Sequence, residues 1–97
     1  MATYVLLATY TEQGLKGIKD TVKRTQSVKD LASKAGLSMK ESYWTLFAYD
    51  VVAVFEAPDD ESMTAFSLSV AKLGNVKTQT LRAFSSTDMA AILGKMV

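Results

Sequence analysis

Apolar residues recur with two different periods along this chain of 97 residues, and the change of period marks its secondary structure. Runs rich in β-branched and aromatic residues predict four strands, at residues 3–10, 37–46, 51–57 and 75–84. The first and third of these strands carry apolar residues on both faces. Since a strand of this kind needs cover on both sides, the pattern predicts a sheet with no face left to water.

Between the strands, apolar residues three and four positions apart predict amphipathic helices. After the first strand we expect a helical turn near 14–18 and a main helix at about 20–35, and the pattern leaves open whether these are continuous. Their predicted buried face consists of Leu15, Ile18, Val22, Thr25, Val28, Leu31, Ala32 and Ala35. A second helix begins at Asp59 or Asp60 and ends at Gly74.

The resulting element order is β-α-β-β-α-β-α, with a short third helix begun by a capping box of Ser85 and Asp88. This order predicts an α+β class: a ferredoxin-like βαββαβ fold with a C-terminal helix, built as one domain over residues 1–97. The sheet is expected to be four-stranded and antiparallel, in the order 4-1-3-2, with both main helices on one face. A second copy of the chain is the simplest cover for the other face, so we expect a homodimer or a larger homo-oligomer.

The absence of two residue types from the composition excludes several kinds of functional site. The chain has no cysteine and no histidine, which excludes disulfides, thiol nucleophiles, Ser-His-Asp triads and zinc sites of the usual ligands. We therefore expect no metal and no cofactor. A net charge of +1 argues against a nucleic-acid partner. Neither an apolar run of membrane-spanning length nor a signal peptide is visible, so no membrane contact and a cytoplasmic location are expected.

The order and spacing of several short segments resemble those of the GYD domain family. The segments are Thr11-Glu12-Gln13-Gly14, Tyr49-Asp50-Val51-Val52-Ala53, Glu56-Ala57-Pro58-Asp59-Asp60 and Leu73-Gly74-Asn75-Val76-Lys77-Thr78. The resemblance implies a dimeric α/β barrel, in which two ferredoxin-like sheets face each other, and it implies no particular reaction. Ala48 stands where the motif has glycine, so either this turn needs no positive φ there or it is strained.

The second and third strands are expected to form a hairpin with a tight turn, and the segment around it supplies the candidate catalytic residues. Asp50 opens an otherwise apolar strand, where it could act as a general base or could fix the turn by accepting hydrogen bonds. Tyr43 is a candidate polar group of a cleft. Tyr43, Tyr49 and Trp44 could stack on a flat ligand or could be packing residues.

Two further regions carry candidate ligand-binding residues. Arg82 and Thr80 share one face of the fourth strand, where Arg82 could clamp a carboxylate or pair with an acidic residue. Lys19 follows the first strand and could meet an anion or lie in solvent. Asp59, Asp60 and Glu61 are explained by helix capping.

Two classes of function fit these residues. The first is a homo-oligomeric α/β-barrel protein that binds a small, aromatic or carboxylate ligand in the sheet cleft. The alternative is a cofactor-independent isomerase or monooxygenase-like enzyme, with Asp50 and Tyr43 as acid–base groups and Arg82 as anion clamp. The sequence does not decide whether the protein is an enzyme.

Overall fold

A computed structural model describes residues 1–97 and has the predicted element order. Its elements are β1 (Ala2–Tyr10), α1 (Glu12–Lys16), a 3-10 turn (Ile18–Asp20), α2 (Thr21–Lys34), β2 (Ser38–Trp44), β3 (Val51–Ala57), α3 (Asp60–Ala71), β4 (Val76–Ala83) and α4 (Ser86–Leu93). The strands form one antiparallel sheet in the order β2-β3-β1-β4. The α+β, ferredoxin-like fold with this strand order is therefore confirmed.

One side of the sheet packs under α2 and α3 and forms the core. The buried residues alternate along the two central strands, at Tyr4, Leu6 and Ala8 of β1 and at Ala53, Phe55 and Ala57 of β3. From α3, Met63, Phe66 and Val70 close this layer. Phe55 and Phe66 pack with their ring centroids 5.2 Å apart. The strand period of two thus places one set of side chains in the core and the other set on the opposite side of the sheet.

The helical region after β1 is divided into three pieces. Gly17 ends α1, a 3-10 turn follows, and α2 begins at Thr21. The change of direction exposes Leu15 and Val22, which are 56% and 66% exposed, so the predicted buried face was wrong over this first part. Further along α2 the period holds, because Ala32 is fully buried and Val28 and Leu31 pack against the core.

The β2–β3 connection is longer than the predicted tight turn. β2 ends at Trp44 and β3 begins at Val51, while the backbone N–H of Thr45 donates to the carbonyl of Asp50 at 2.8 Å. Phe47 is the one non-glycine residue of the chain with positive φ, at 74°. Ala48 therefore needs no positive φ, which explains how alanine can replace the glycine of the family motif.

The last helix, α4, begins with the predicted capping box. The Ser85 hydroxyl accepts from the backbone N–H of Asp88, and the Asp88 carboxylate accepts from that of Ser85, each at 3.1 Å. No residue of α4 is buried. Its apolar side chains are therefore largely exposed to solvent, including Met89, Ile92 and Leu93. No helix in the structure is both long enough and apolar enough to span a membrane.

Candidate functional site

The side of the sheet opposite α2 and α3 has no layer over it, and we call it the open face. Strand register places Val5 between Val54 and Leu81 at its centre, with Leu7 beside Val52. Leu81 is half exposed, and the valines and Leu7 of this group are each partly exposed. The open face is therefore an apolar surface centred on β1 and β3.

Polar groups surround this apolar centre. At the β2 edge, the Tyr43 hydroxyl donates a short hydrogen bond to Glu41. This bond and the nearby negative charge raise the pKa of Tyr43. Lys40 forms an ion pair with Glu56 at 3.8 Å. An apolar centre within a polar rim is the usual anatomy of a protein–protein interface.

Tyr49 reaches the open face from the β2–β3 connection. Its hydroxyl donates to Gln79 Oε1 at 2.9 Å, and Gln79 lies on the open face because it pairs with Leu7. The Tyr49 side chain therefore spans β1 at one end of the face. Tyr43 and Tyr49 are the two predicted site residues that the structure associates with this surface.

Asp50 connects three segments of main chain. Its Oδ2 accepts from the backbone N–H of Tyr10 at 2.8 Å, and its own N–H donates to the carbonyl of Ala8 at 2.9 Å. Its carbonyl accepts a hydrogen bond from the backbone N–H of Thr45 at 2.8 Å. These contacts fix the start of β3 beside the end of β1.

Arg82 and Thr80 lie on the helix-covered side of β4. The register pairs Arg82 with the buried Tyr4 and Thr80 with the buried Leu6. The guanidinium of Arg82 donates to the carbonyls of Thr3 and Ala83 and lies over the rings of Tyr4 and Phe84, at 5.5 and 4.6 Å from their centroids. The Thr80 hydroxyl is 3.0 Å from that of Ser67 in α3.

The remaining predicted ligand-binding residues also lie away from the open face. Trp44 donates from its indole nitrogen to Thr21 Oγ1 at 3.1 Å, which turns it towards α2. Lys19 lies in the 3-10 turn and is exposed. The structure thus divides the predicted residues between two sides of the sheet.

Arg82 and Asp50 also lie at opposite ends of the sheet. Arg82 pairs with Tyr4, whereas Asp50 binds the backbone of Tyr10. Six residues of extended strand separate these points, which is about 20 Å. The structure does not bring Asp50, Tyr43 and Arg82 into one site.

Sequence reasoning missed one partly buried hydrogen bond between β1 and the first residue of α3. The Tyr4 hydroxyl donates to Asp60 Oδ1 at 2.5 Å. This hydrogen bond, followed by burial and the nearby carboxylate, raises the pKa of Tyr4 to about 12. The sequence analysis explained the acidic residues at the start of this helix by helix capping. That explanation is correct for Asp59, which accepts from the backbone N–H of Ser62 at 2.8 Å. No sequence signal pointed from Asp60 to a residue 56 positions away.

A second missed feature is the joining of the start of α1 to the turn between α3 and β4, at one end of the sheet. The Thr11 hydroxyl donates to the carbonyl of Gly74 at 2.5 Å, and Gln13 Nε2 donates to the carbonyl of Leu73 at 2.9 Å. A Cβ on Gly14 would lie 2.1 Å from the carbonyl oxygen of Asn75, so only glycine fits there. Two of the four segments quoted for the family resemblance, 11–14 and 73–78, thus meet in space.

Comparison with known proteins shows which family has these segments. The sequence profile of the GYD domain matches residues 4–93. This chain belongs to the GYD domain family. The GYD domain described here is 33% identical, over 94 residues, to the "glutamine synthetase and cystathionine beta-lyase binding protein" of Thermus thermophilus. That alignment covers 96% of this chain and 99% of the relative.

A solved structure supports the fold of this GYD domain. The crystal structure of a protein from Thermus thermophilus matches it with a TM-score of 0.58 and 23% sequence identity. The match covers 89% of this chain and 96% of the other. At this level of identity the likeness concerns the fold alone.

Proposed function

We propose that this GYD domain is a homodimeric protein-interaction module. Two copies pack their open faces together, and the dimer then binds other proteins. The observation that carries the proposal is the apolar centre of the open face, formed by Val5, Leu7, Val52, Val54 and Leu81. A second copy removes this apolar surface from water, which is the dominant favourable contribution in most protein associations.

The relative's name supports the protein-binding part of the proposal. That relative is named as binding glutamine synthetase and cystathionine β-lyase. Helix α4 has no buried residue, and its Met89, Ile92 and Leu93 offer a further exposed apolar surface for a partner. We propose that this domain likewise binds metabolic enzymes of this kind.

Sedimentation equilibrium of two matched variants tests the dimer. Leu81 on the open face and Leu68 on α3 are 50% and 65% exposed, so both positions should accept lysine without unfolding. We expect wild-type protein and Leu68→Lys to sediment as dimers and Leu81→Lys as a monomer. A monomeric wild type at micromolar concentration, or a dimeric Leu81→Lys, contradicts the proposal.

Binding to enzymes needs a separate measurement. Glutamine synthetase and cystathionine β-lyase from the organism that encodes this chain are immobilised in turn, and binding is followed by surface plasmon resonance. We expect saturable binding of the wild-type protein to at least one of them. Failure to bind either one contradicts the partner class but leaves the dimer measurement intact.

A second candidate function is small-ligand binding between the two sheets, and Tyr43 and Tyr49 favour it. Both hydroxyls lie at the rim of the apolar surface, with Glu41 and Gln79 as their hydrogen-bond partners. They would orient an aromatic ligand enclosed by two copies. Ligand-observed NMR with a panel of aromatic acids tests this function. Tyr49→Phe should weaken any ligand found, whereas Leu68→Lys should not.

A further inference from the structure

A cavity lies between α2 and the helix-covered side of the sheet, separate from the open face. Its volume is about 370 Å³, which is within the range of small-molecule sites. The cavity is partly open to solvent, so a small molecule could enter it without the domain unfolding.

The cavity has an apolar interior and a polar end. Leu31, Met39 and Phe55 lie along the interior. Tyr10, Thr21, Arg24 and Asn75 line the other end, where β1 ends and α2 begins. This division suits a ligand with an apolar tail and a polar head.

The positive charge of Arg24 favours a ligand whose polar head is negatively charged. Its guanidinium donates to the carbonyl of Gly14 at 3.1 Å and to Asn75 Oδ1 at 3.3 Å, both of which are neutral acceptors. The ion pairs of the structure are Lys16–Glu12 and Lys40–Glu56, so no carboxylate neutralises Arg24. Two of the five guanidinium N–H groups donate to these protein acceptors, and the other three have no acceptor within the chain.

The contacts of Arg24 also hold it in place. Gly14 belongs to α1 and Asn75 to the turn joined to it, and a Cβ on Gly17 would lie 3.2 Å from Arg24 Nη1. The side chain is partly buried. A partly buried, pre-positioned guanidinium without a counter-ion matches the geometry of a carboxylate, which accepts two parallel N–H bonds.

We propose that this cavity binds a small carboxylic acid with an apolar tail. The tail lies between α2 and the sheet, and the carboxylate accepts hydrogen bonds from Arg24. The site lies within one chain and does not depend on dimer formation.

Trp44 provides the readout, because it is the single tryptophan of the chain and its indole nitrogen binds Thr21 at the polar end. Decanoate, below its micelle concentration, is titrated while Trp44 fluorescence is followed. We expect saturable binding by the wild-type protein. Decanol, which has the same tail and no charge, should bind at least about tenfold more weakly, since a charge-assisted hydrogen bond is lost.

Two variants of neighbouring residues provide the matched comparison. Arg24→Gln removes the charge at the cavity, whereas Lys23→Gln removes the same charge from an exposed position of α2. We expect Arg24→Gln to weaken decanoate binding about tenfold or more and Lys23→Gln to leave it unchanged. Circular dichroism checks that both are folded, and Arg24→Lys replaces Arg24→Gln if the latter is not.

Methyl NMR of the wild-type protein locates the ligand without any variant. We expect decanoate to shift Val28, Leu31 and Met39, which line the cavity. Absence of binding, equal affinity for decanol, undiminished binding by Arg24→Gln, or shifts confined to Val52 and Val54 of the open face would each overturn the proposal.

Discussion

Asp50 shows how one carboxylate can serve a structural purpose at a position that a catalytic base could also occupy. Its side chain accepts from the backbone of Tyr10, and its main chain binds Ala8 and Thr45. The residue therefore connects β1, the β2–β3 connection and the start of β3. An Asp in this setting contributes to stability through a charge-assisted hydrogen bond.

We expect Asp50→Ala to lower the free energy of unfolding by about 1–3 kcal/mol, because the Tyr10 N–H loses its acceptor. Asp50→Asn keeps an acceptor oxygen and should cost less. Glu61→Ala, at an exposed position of α3, is the control and should change little. Chemical denaturation measures all three, and equal midpoints for Asp50→Ala and the wild type would show that this hydrogen bond contributes nothing.

The raised pKa of Tyr4 predicts that the domain loses stability at alkaline pH. Its pKa is raised from 10.0 to about 12 in the folded protein, chiefly by the hydrogen bond to Asp60. A raised pKa means that folding favours the protonated phenol, so this contribution is complete below pH 10 and disappears as the pH rises towards 12. Thermal melts between pH 9 and pH 12 should show this decline.

Tyr4→Phe is the matched variant for that pH series. It should be less stable than the wild type at neutral pH, because Asp60 loses its donor, and its melting temperature should fall less steeply with alkali. The same alkaline decline in both proteins would assign the effect to other groups.

At the scale of elements, α3 and α4 have similar caps and different surroundings. Asp59 is the N-cap of α3, and Asp88 completes the capping box that Ser85 begins in α4. In each case the hydrogen bond that the carboxylate accepts from a backbone N–H lowers its pKa. Helix α3 contributes Met63, Phe66 and Val70 to the core, whereas α4 contributes no buried residue. Loss of a capping hydrogen bond should therefore have different consequences for stability in the two helices.

Asp59→Ala should lower the melting temperature of the whole domain, and Asp88→Ala should only loosen α4. Because the pKa of Asp59 is lowered, its contribution is present above its unfolded value of 3.8 and is lost as the pH falls through the lower folded value. The difference in melting temperature between the wild type and Asp59→Ala should accordingly shrink in acid. Melts of both variants at pH 7 and pH 3 test this, and equal effects of the two substitutions would contradict it.

The β2–β3 connection carries backbone strain at Phe47. This residue has a φ of 74° and a side chain that is 98% exposed, so its conformation is costly and its side chain packs on nothing. We expect Phe47→Gly to stabilise the domain by about 0.5–1 kcal/mol in urea unfolding. Leu46→Gly, next to it and without positive φ, should destabilise slightly, and a loss of stability in Phe47→Gly would contradict the argument.

At the scale of the molecule, the proposed dimer predicts that stability depends on protein concentration. If two copies fold and associate, dilution favours the unfolded chain and lowers the melting temperature. We expect the melting temperature of the wild type to rise with protein concentration over two decades, and that of Leu81→Lys to stay constant. A wild-type melting temperature that is independent of concentration would indicate a monomer.

Much of the fold was predictable because its signals are local. The alternation along β1 and β3 identified their two faces, and the Ser85–Asp88 spacing identified the start of α4. Strand order then followed from the rules for connections in a split βαβ arrangement. Around Gly17 the apolar spacing continued across a change of chain direction, so it could not show that Leu15 and Val22 are exposed.

The candidate site was less predictable, because β4 gives no clear sign of which side is covered. Its two faces carry similar mixtures, with Thr80 and Arg82 on one and Gln79 and Leu81 on the other. The register with β1 shows which face of β4 the helices cover, since Arg82 pairs with the buried Tyr4. Strand patterning alone identifies a face only when one side is distinctly more apolar.

The sequence by itself determined the order of elements, the two-sided apolar character of β1 and β3, and family membership, because these depend on residues near one another in the chain. Only the tertiary structure decided which distant groups meet. It joined Tyr4 to Asp60 and Arg24 to Asn75, pairs that are 56 and 51 positions apart. It also formed a partly open cavity between α2 and the sheet. Contacts of this kind arise from how whole elements pack, and no local period records them.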